Sequence, residues 1–125
     1  MSEKRIERIN ELIRDELSDI IRREIKDPRL GWVTVTRVQI SGDLRYVKVY
    51  ISVLGDEEAR VASMGVLHGA ASFLRRQLGG RIQLRYTPEL AFRYDPSIEE
   101  GVRLDQLMDR FAAEKTKGNG WSTGR

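Results

Sequence analysis

Residues 3–26 carry an apolar stripe that constrains the fold more than any other stretch of the chain. Isoleucine and leucine recur there at spacings of three and four residues, at Ile6, Ile9, Leu12, Ile13, Leu17, Ile20, Ile21 and Ile25. This spacing aligns the side chains on one face of a helix, opposite a face with charges of both signs. Ser2 is a suitable N-cap, and Asp27-Pro28 predicts the end, because the residue before proline disfavours helical conformation.

Two strands are predicted after this helix. The apolar side chains of residues 32–40 change parity near Thr36–Arg37, which predicts a β-bulge there. Residues 46–53 alternate cleanly, so that one face carries Val47, Val49, Ile51 and Val53 and the other Tyr46, Lys48 and Tyr50. The turn-like residues 41–45 between them favour an antiparallel hairpin.

A second helix is predicted from an Asp56 cap to Gly79-Gly80. Its centre is crowded with small residues, namely Gly65, Gly69, Ala70, Ala71 and Ser72. Glycine inside a helix costs roughly 1 kcal/mol relative to alanine, so this centre is weak and a kink is expected. A kink would expose N–H groups at the start of a second helical segment, where anions bind. Close packing of the helix on the sheet is a second explanation, and both can hold together.

The remaining residues complete an α+β pattern. Residues 81–86 read as a strand with Ile82, Leu84 and Tyr86 inward, and residues 88–95 continue extended. A shorter helix is predicted within residues 97–114. We therefore expect one domain over residues 1–113, with helices on one face of a three-stranded sheet, and a flexible tail over residues 114–125.

Positive charge is concentrated in one part of the chain. The net charge is only +3, and residues 1–29 hold eight basic and eight acidic side chains. Residues 69–93 instead hold five arginines and one acid, Glu89. Arginine suits phosphate groups, so we predict an RNA-binding surface formed by Arg75, Arg76, Arg81, Arg85 and Arg93, extended by Lys48 and Arg45. The alternative to RNA binding is a structural role, in which these arginines complement the negative end of a helix and keep an exposed strand soluble.

The sequence contains few residues of the types that catalyse reactions or bind metals. The chain has one histidine, His68, and no cysteine, and it lacks phosphate-binding and metal-loop motifs. We predict a non-enzymatic protein with no cofactor and no metal site, and a partly buried structural role for His68. No apolar run approaches the roughly 20 residues of a membrane span, and no signal peptide is recognisable, so a cytoplasmic location without membrane contact is expected.

Several ordered motifs resemble the bacterial ribosome-binding factor A family. They are "RIERINELIRDELSDII", "KDPRLGWVTVTRVQISGDLRYVKVYISV", "AASFLRRQL" and "IQLRYTPELAFRYDPSIEEG", which together cover roughly residues 4–110. The resemblance implies a type II KH-like fold in which an Ala-x-Gly helix–kink–helix replaces the GxxG loop. It also implies binding to the small ribosomal subunit and its 16S rRNA during late maturation, help with 16S rRNA 5′-end processing, and a part in cold adaptation.

By position, the family's kink falls on Ala70, Ala71 and Ser72, and the sequence departs from the family pattern because serine stands in place of glycine. Ser72 is expected to cap the second helix, or else Gly69 is expected to supply the break. By family analogy a GTPase is expected to trigger release, and we expect the free protein to be a monomer. Two other functions stay open: a protein-interaction module that binds an acidic partner, and a small hydrolase that depends on His68.

Overall fold

The structure, a computed structural model, describes residues 2–96. Its elements in chain order are α1 (Glu3–Glu24), β1 (Trp32–Ile40), β2 (Tyr46–Leu54), α2 (Glu57–Gly69), α3 (Ala71–Arg81) and β3 (Glu89–Tyr94). The sheet has the order β1-β2-β3, with β1 antiparallel and β3 parallel to the central β2. The predicted α+β architecture is confirmed. The last predicted helix, the domain boundary at residue 113 and the tail lie outside the described residues.

Helix α1 packs its predicted stripe against the sheet. The side-chain oxygen of Ser2 accepts a hydrogen bond from the Arg5 amide at 3.2 Å, which confirms the predicted cap. The side chains of α1 that are fully buried in the core are Ile13, Leu17 and Ile20. The helix ends at Glu24, before the predicted stop at Asp27-Pro28. The backbone is extended at Ile25 (φ −89°, ψ 112°), and the Ile25 side chain packs against the core.

The sheet has one buried face and one open face. Val47, Val49 and Ile51 of β2 are fully buried beneath the helices, as their alternation predicts. The predicted bulge is confirmed by the register shift between Val35 and Arg37. The bulged residue, Thr36, donates a hydrogen bond from its hydroxyl to the Asp95 carboxylate at 2.7 Å. This bond ties β1 to the end of β3 across the central strand.

The prediction of a strand over residues 81–86 is wrong. Helix α3 continues through Gly79-Gly80 to Arg81, and the next strand begins only at Glu89. The glycine pair does not end the helix. Gly79 instead allows a close contact, since a Cβ atom there would lie 3.0 Å from the Thr87 Oγ1 atom. Leu74 and Leu78 of α3 are buried in the core, which holds the longer helix in place.

Candidate nucleic-acid interface

The predicted kink lies between α2 and α3. Ala70 adopts φ −97° and ψ 6°, and its N–H group bonds to the carbonyl oxygens of Val66 and Leu67. Helix α3 starts at the next residue, so a break within Ala70, Ala71 and Ser72 is confirmed.

The capping role expected of Ser72 is wrong. Ser72 is the second residue of α3, and no side chain caps this helix. Gly69 does not supply the break either, because Gly55 is the glycine with positive φ among residues 2–96. Ala70 instead makes the break within backbone space that any residue can adopt. No side chain therefore competes with an anion for the first N–H groups of α3.

The backbone is exposed on the α2 side of the kink. A Cβ atom built on Gly65 or Gly69 would meet no other atom within 4 Å. These two glycines therefore do not serve the close packing on the sheet that was the second explanation, whereas Ala70 and Ala71 of the same cluster do pack against the core. His68 is also exposed rather than partly buried, with its ring edge-on to Phe92 at a centroid distance of 6.5 Å. Gly65, Gly69 and Ser72 are exposed, so the cluster of small residues is open on one side and packed on the other.

Two exposed arginines follow the kink on α3, and we call Arg75 and Arg76 the helix surface. Arg75 donates two hydrogen bonds to the Thr87 carbonyl oxygen, from Nε at 3.1 Å and from a terminal nitrogen at 2.8 Å. Arg76 makes no hydrogen bond or ion pair with any residue in the described range. One guanidinium thus fixes the loop before β3, and the other is open to a partner.

Arg81 is engaged by acids of α1. One of its terminal nitrogens lies 2.7 Å from an Asp19 carboxylate oxygen and 3.1 Å from a Glu16 carboxylate oxygen. The Arg81 hydrogen bond is the main reason that the pKa of Asp19 lies below its usual range, with Arg23 contributing next. The same contacts raise the pKa of Arg81. These ion pairs link α3 to α1, and they compete with any contact between Arg81 and phosphate.

The open face of the sheet carries a second group of cations. In the register of the strands, Tyr50 lies between Arg37 of β1 and Arg93 of β3, so the three share one face. Lys48 precedes Tyr50 by two residues and therefore points to the same side. The Arg37 guanidinium stacks over the Tyr50 ring at 3.9 Å. We call Arg37, Lys48, Tyr50 and Arg93 the sheet surface.

The sequence reasoning missed Arg37, although the signal was present. The bulge at Thr36 changes the facing of the strand, and a count of residues beyond it puts Arg37 on the face of Lys48 and Tyr50.

The last two predicted residues lie at one end of the sheet. The guanidinium carbon of Arg45 lies 4.0 Å from the centroid of the Tyr86 ring, and that of Arg85 lies 5.7 Å from it. The seven predicted cations therefore occupy the helix layer, the open sheet face and the end of the sheet, rather than one continuous strand face. Arg85 was expected to point outward from a strand, but it lies in the loop between α3 and β3.

Other kinds of site are not found in the described residues. Residues 2–96 contain no cluster of three or more histidine or acidic side chains that could hold a metal ion. Within the same range, no helix is long and apolar enough to cross a membrane.

Comparison with known proteins agrees with this arrangement. A family model described as ribosome-binding factor A matches residues 5–108. The chain belongs to the ribosome-binding factor A family. A family member from Acetivibrio thermocellus is 50% identical over 112 residues, which span 89% of this chain and 91% of that protein. The family match runs through all three helices and all three strands of the described residues.

Solved structures of the family share the fold. The crystal structure of ribosome-binding factor A from Thermus thermophilus superposes with a TM-score of 0.62 at 28% identity, and covers 70% of this chain and 92% of that one. A homology model of the Thermus thermophilus factor, fitted into the cryo-EM map of its complex with 30S, gives a TM-score of 0.61 at 26% identity, over 73% of this chain and 96% of that one. That relative is therefore described in complex with the small ribosomal subunit.

Proposed function

We propose that this protein binds the small ribosomal subunit through its 16S rRNA and assists late maturation, including 16S rRNA 5′-end processing. It acts by binding rather than by catalysis. The observation that carries the proposal is the similarity to the Thermus thermophilus factor fitted into a 30S complex. Release by a GTPase and a monomeric free state belong to the same proposal.

The unpaired cations support an RNA partner. Arg76, Lys48 and Arg93 are exposed and have no acidic partner within the described residues. By contrast, Arg22 and Arg23 of α1 both bond to Asp19. Cations without partners can neutralise phosphate groups without first breaking an ion pair, and arginine presents a planar donor fork that matches phosphate.

The kink supports a close approach of the RNA backbone. The N-terminus of α3 has no side-chain cap, and Arg75 and Arg76 follow as the fifth and sixth residues of the helix. Phosphate placed here would accept hydrogen bonds from the backbone and from arginine together. Contacts of this kind read the shape and charge of RNA more than its base sequence.

The test is the salt dependence of binding to purified small subunits. Replacing Arg75 and Arg76 by glutamine should remove the phosphate contact of the open Arg76, together with the charge of Arg75, whose guanidinium bonds to the Thr87 carbonyl oxygen. The slope of log affinity against log salt should therefore fall by at least about 0.7. The matched control is Arg22→Gln/Arg23→Gln, which removes an adjacent arginine pair that is already bonded to Asp19. An unchanged slope in the Arg75/Arg76 variant, or an equal change in the control, contradicts the proposal.

An acidic protein partner is the second candidate, and the exposed charge of Arg76 and Arg93 would favour it as well. RNase treatment of a cell extract separates the two. A ribosomal RNA partner is lost on digestion, whereas a protein partner stays bound.

A further inference from the structure

A groove opens at the end of the sheet, away from the kink. It lies between the start of α1, the β1–β2 turn and the loop that follows α3, and it has a volume of about 580 Å³. Arg5, Arg45 and Arg85 line it, together with Tyr86 and Gln83. The volume falls within the range of roughly 300–1,000 Å³ that is typical of small-ligand sites. Three arginines and one aromatic ring therefore define the chemistry of its lining.

The one acid in the groove is already occupied. The Asp43 carboxylate accepts hydrogen bonds from the Ser41 hydroxyl at 2.6 Å and from the Arg45 amide at 3.1 Å. The Ser41 hydrogen bond is the main reason that the pKa of Asp43 is lowered, so it stays ionised and held within the turn. None of the three arginines forms an ion pair with Asp43. The groove therefore presents more positive charge than its turn neutralises.

The turn also fixes the position of Arg45. The Arg45 amide bonds to Ser41 and Asp43, and its carbonyl oxygen accepts from the Glu89 amide at 2.8 Å. Leu44 adopts φ 64°, a left-handed conformation that costs a residue with a side chain about 1–3 kcal/mol. This backbone lets Leu44 pack against the core while Arg45 lines the groove. The turn therefore fixes the backbone of Arg45 at the edge of the groove.

Arg45 and Tyr86 form a stacked pair. The guanidinium carbon lies 4.0 Å from the ring centroid, within the range of a cation–π contact. Arg85 lies 5.7 Å from the same centroid. RNA-binding proteins stack unpaired bases on aromatic rings and on guanidinium planes, and bind the adjoining phosphate with arginine. Gln83 adds an amide that can donate to and accept from a base edge.

We propose that this groove binds one unpaired nucleotide of single-stranded RNA. The base stacks on the Arg45–Tyr86 pair, and the adjoining phosphate is bound by Arg85 and Arg5. The inference rests on the proposed function, because it gives the bound rRNA a single-stranded segment to place here. It concerns a different part of the molecule from the kink.

The direct test is an NMR titration of the ¹⁵N-labelled full chain with the uridine tetranucleotide rU4. Amides of Gly42, Leu44, Gln83 and Arg85 should shift and saturate. Inorganic phosphate titrated alone should bind at least tenfold more weakly, since it cannot stack. Equal affinity for phosphate, or equal affinity for a hexaglutamate peptide, overturns the proposal.

Variants with matched controls locate the site. Tyr86→Leu should weaken rU4 binding at least tenfold, whereas Tyr94→Leu should leave it unchanged. Tyr94 is a suitable control because Arg60 stacks on its ring at 4.8 Å, as Arg45 does on Tyr86, and because it lies outside the groove and the sheet surface. If Tyr86→Leu unfolds the protein, Arg45→Gln/Arg85→Gln replaces it, since both side chains end at the surface. Unchanged rU4 affinity in the folded variant refutes the groove.

The two proposals fail in different ways. If wild-type protein binds small subunits but rU4 shifts none of the groove amides, the groove is wrong and the ribosomal role stands. If rU4 shifts those amides in wild type and not in Arg45→Gln/Arg85→Gln, while small subunits are not bound, the groove stands and the ribosomal role is wrong.

Discussion

Replacing Gly65 by alanine should make the protein more stable and its binding weaker. Gly65 lies inside α2, where alanine is favoured over glycine by about 1 kcal/mol. A Cβ atom there meets nothing within 4 Å, so no clash offsets the gain. If RNA approaches the exposed backbone at the kink, the added methyl displaces it. Loss of one contact, about 1 kcal/mol, lowers the affinity for small subunits roughly fivefold.

Urea denaturation measures the stability and salt-matched binding measures the affinity. Gly80→Ala is the control, since it also meets nothing within 4 Å and lies about 15 Å along α3 from the kink. It should stabilise the protein and leave binding intact. Gly79→Ala should not stabilise, because its Cβ would lie 3.0 Å from the Thr87 side chain. A Gly65→Ala protein that is more stable and binds as tightly as wild type would refute a close approach of RNA at this position.

Three further predictions concern packing and ionisation. Ile51→Ala should lower the free energy of unfolding by about 2–5 kcal/mol in urea denaturation, because Ile51 is fully buried in the central strand, whereas Ile51→Val should cost less than half of that. Arg81→Met should raise the pKa of Asp19 toward its ordinary value in a carboxyl NMR titration; an unshifted Asp19 would contradict the ion pair. Arg29 lowers the pKa of Asp27 to about 2, from an ordinary 3.8. The stability from this pair is therefore present above about pH 4 and lost as the pH falls toward 2, and Arg29→Gln should flatten that fall in denaturation curves recorded across this range.

Local patterns predicted most of the fold. The apolar stripe of α1, the alternation in β2 and the parity change at Thr36 each depend on neighbours within a few residues, and each is confirmed. The error at residues 81–86 has a different origin. Gly79-Gly80 looks like a helix stop, but Gly79 is glycine because Thr87 packs against it, and that contact forms only in the folded chain.

The candidate site was less predictable than the fold. The charge count identified the arginine-rich stretch, but sequence alone does not show that Arg81 bonds to Glu16 and Asp19, more than 60 residues away. The sequence also does not show that Arg45 and Arg85 both lie at the ring of Tyr86. The β1–β2 turn meets the loop before β3 because β2 pairs with β3 in the folded chain. Ser72 was assigned a capping role from its residue type, whereas the backbone at Ala70 made the break without a cap.

The most direct test of the ribosomal role is sedimentation of a cell lysate through a sucrose gradient. The wild-type protein should travel with free small subunits, and the Arg75→Glu/Arg76→Glu variant should stay at the top of the gradient, with Arg22→Glu/Arg23→Glu as the control for added negative charge. Wild-type protein that stays at the top under low-salt conditions would contradict the account and favour an acidic protein partner.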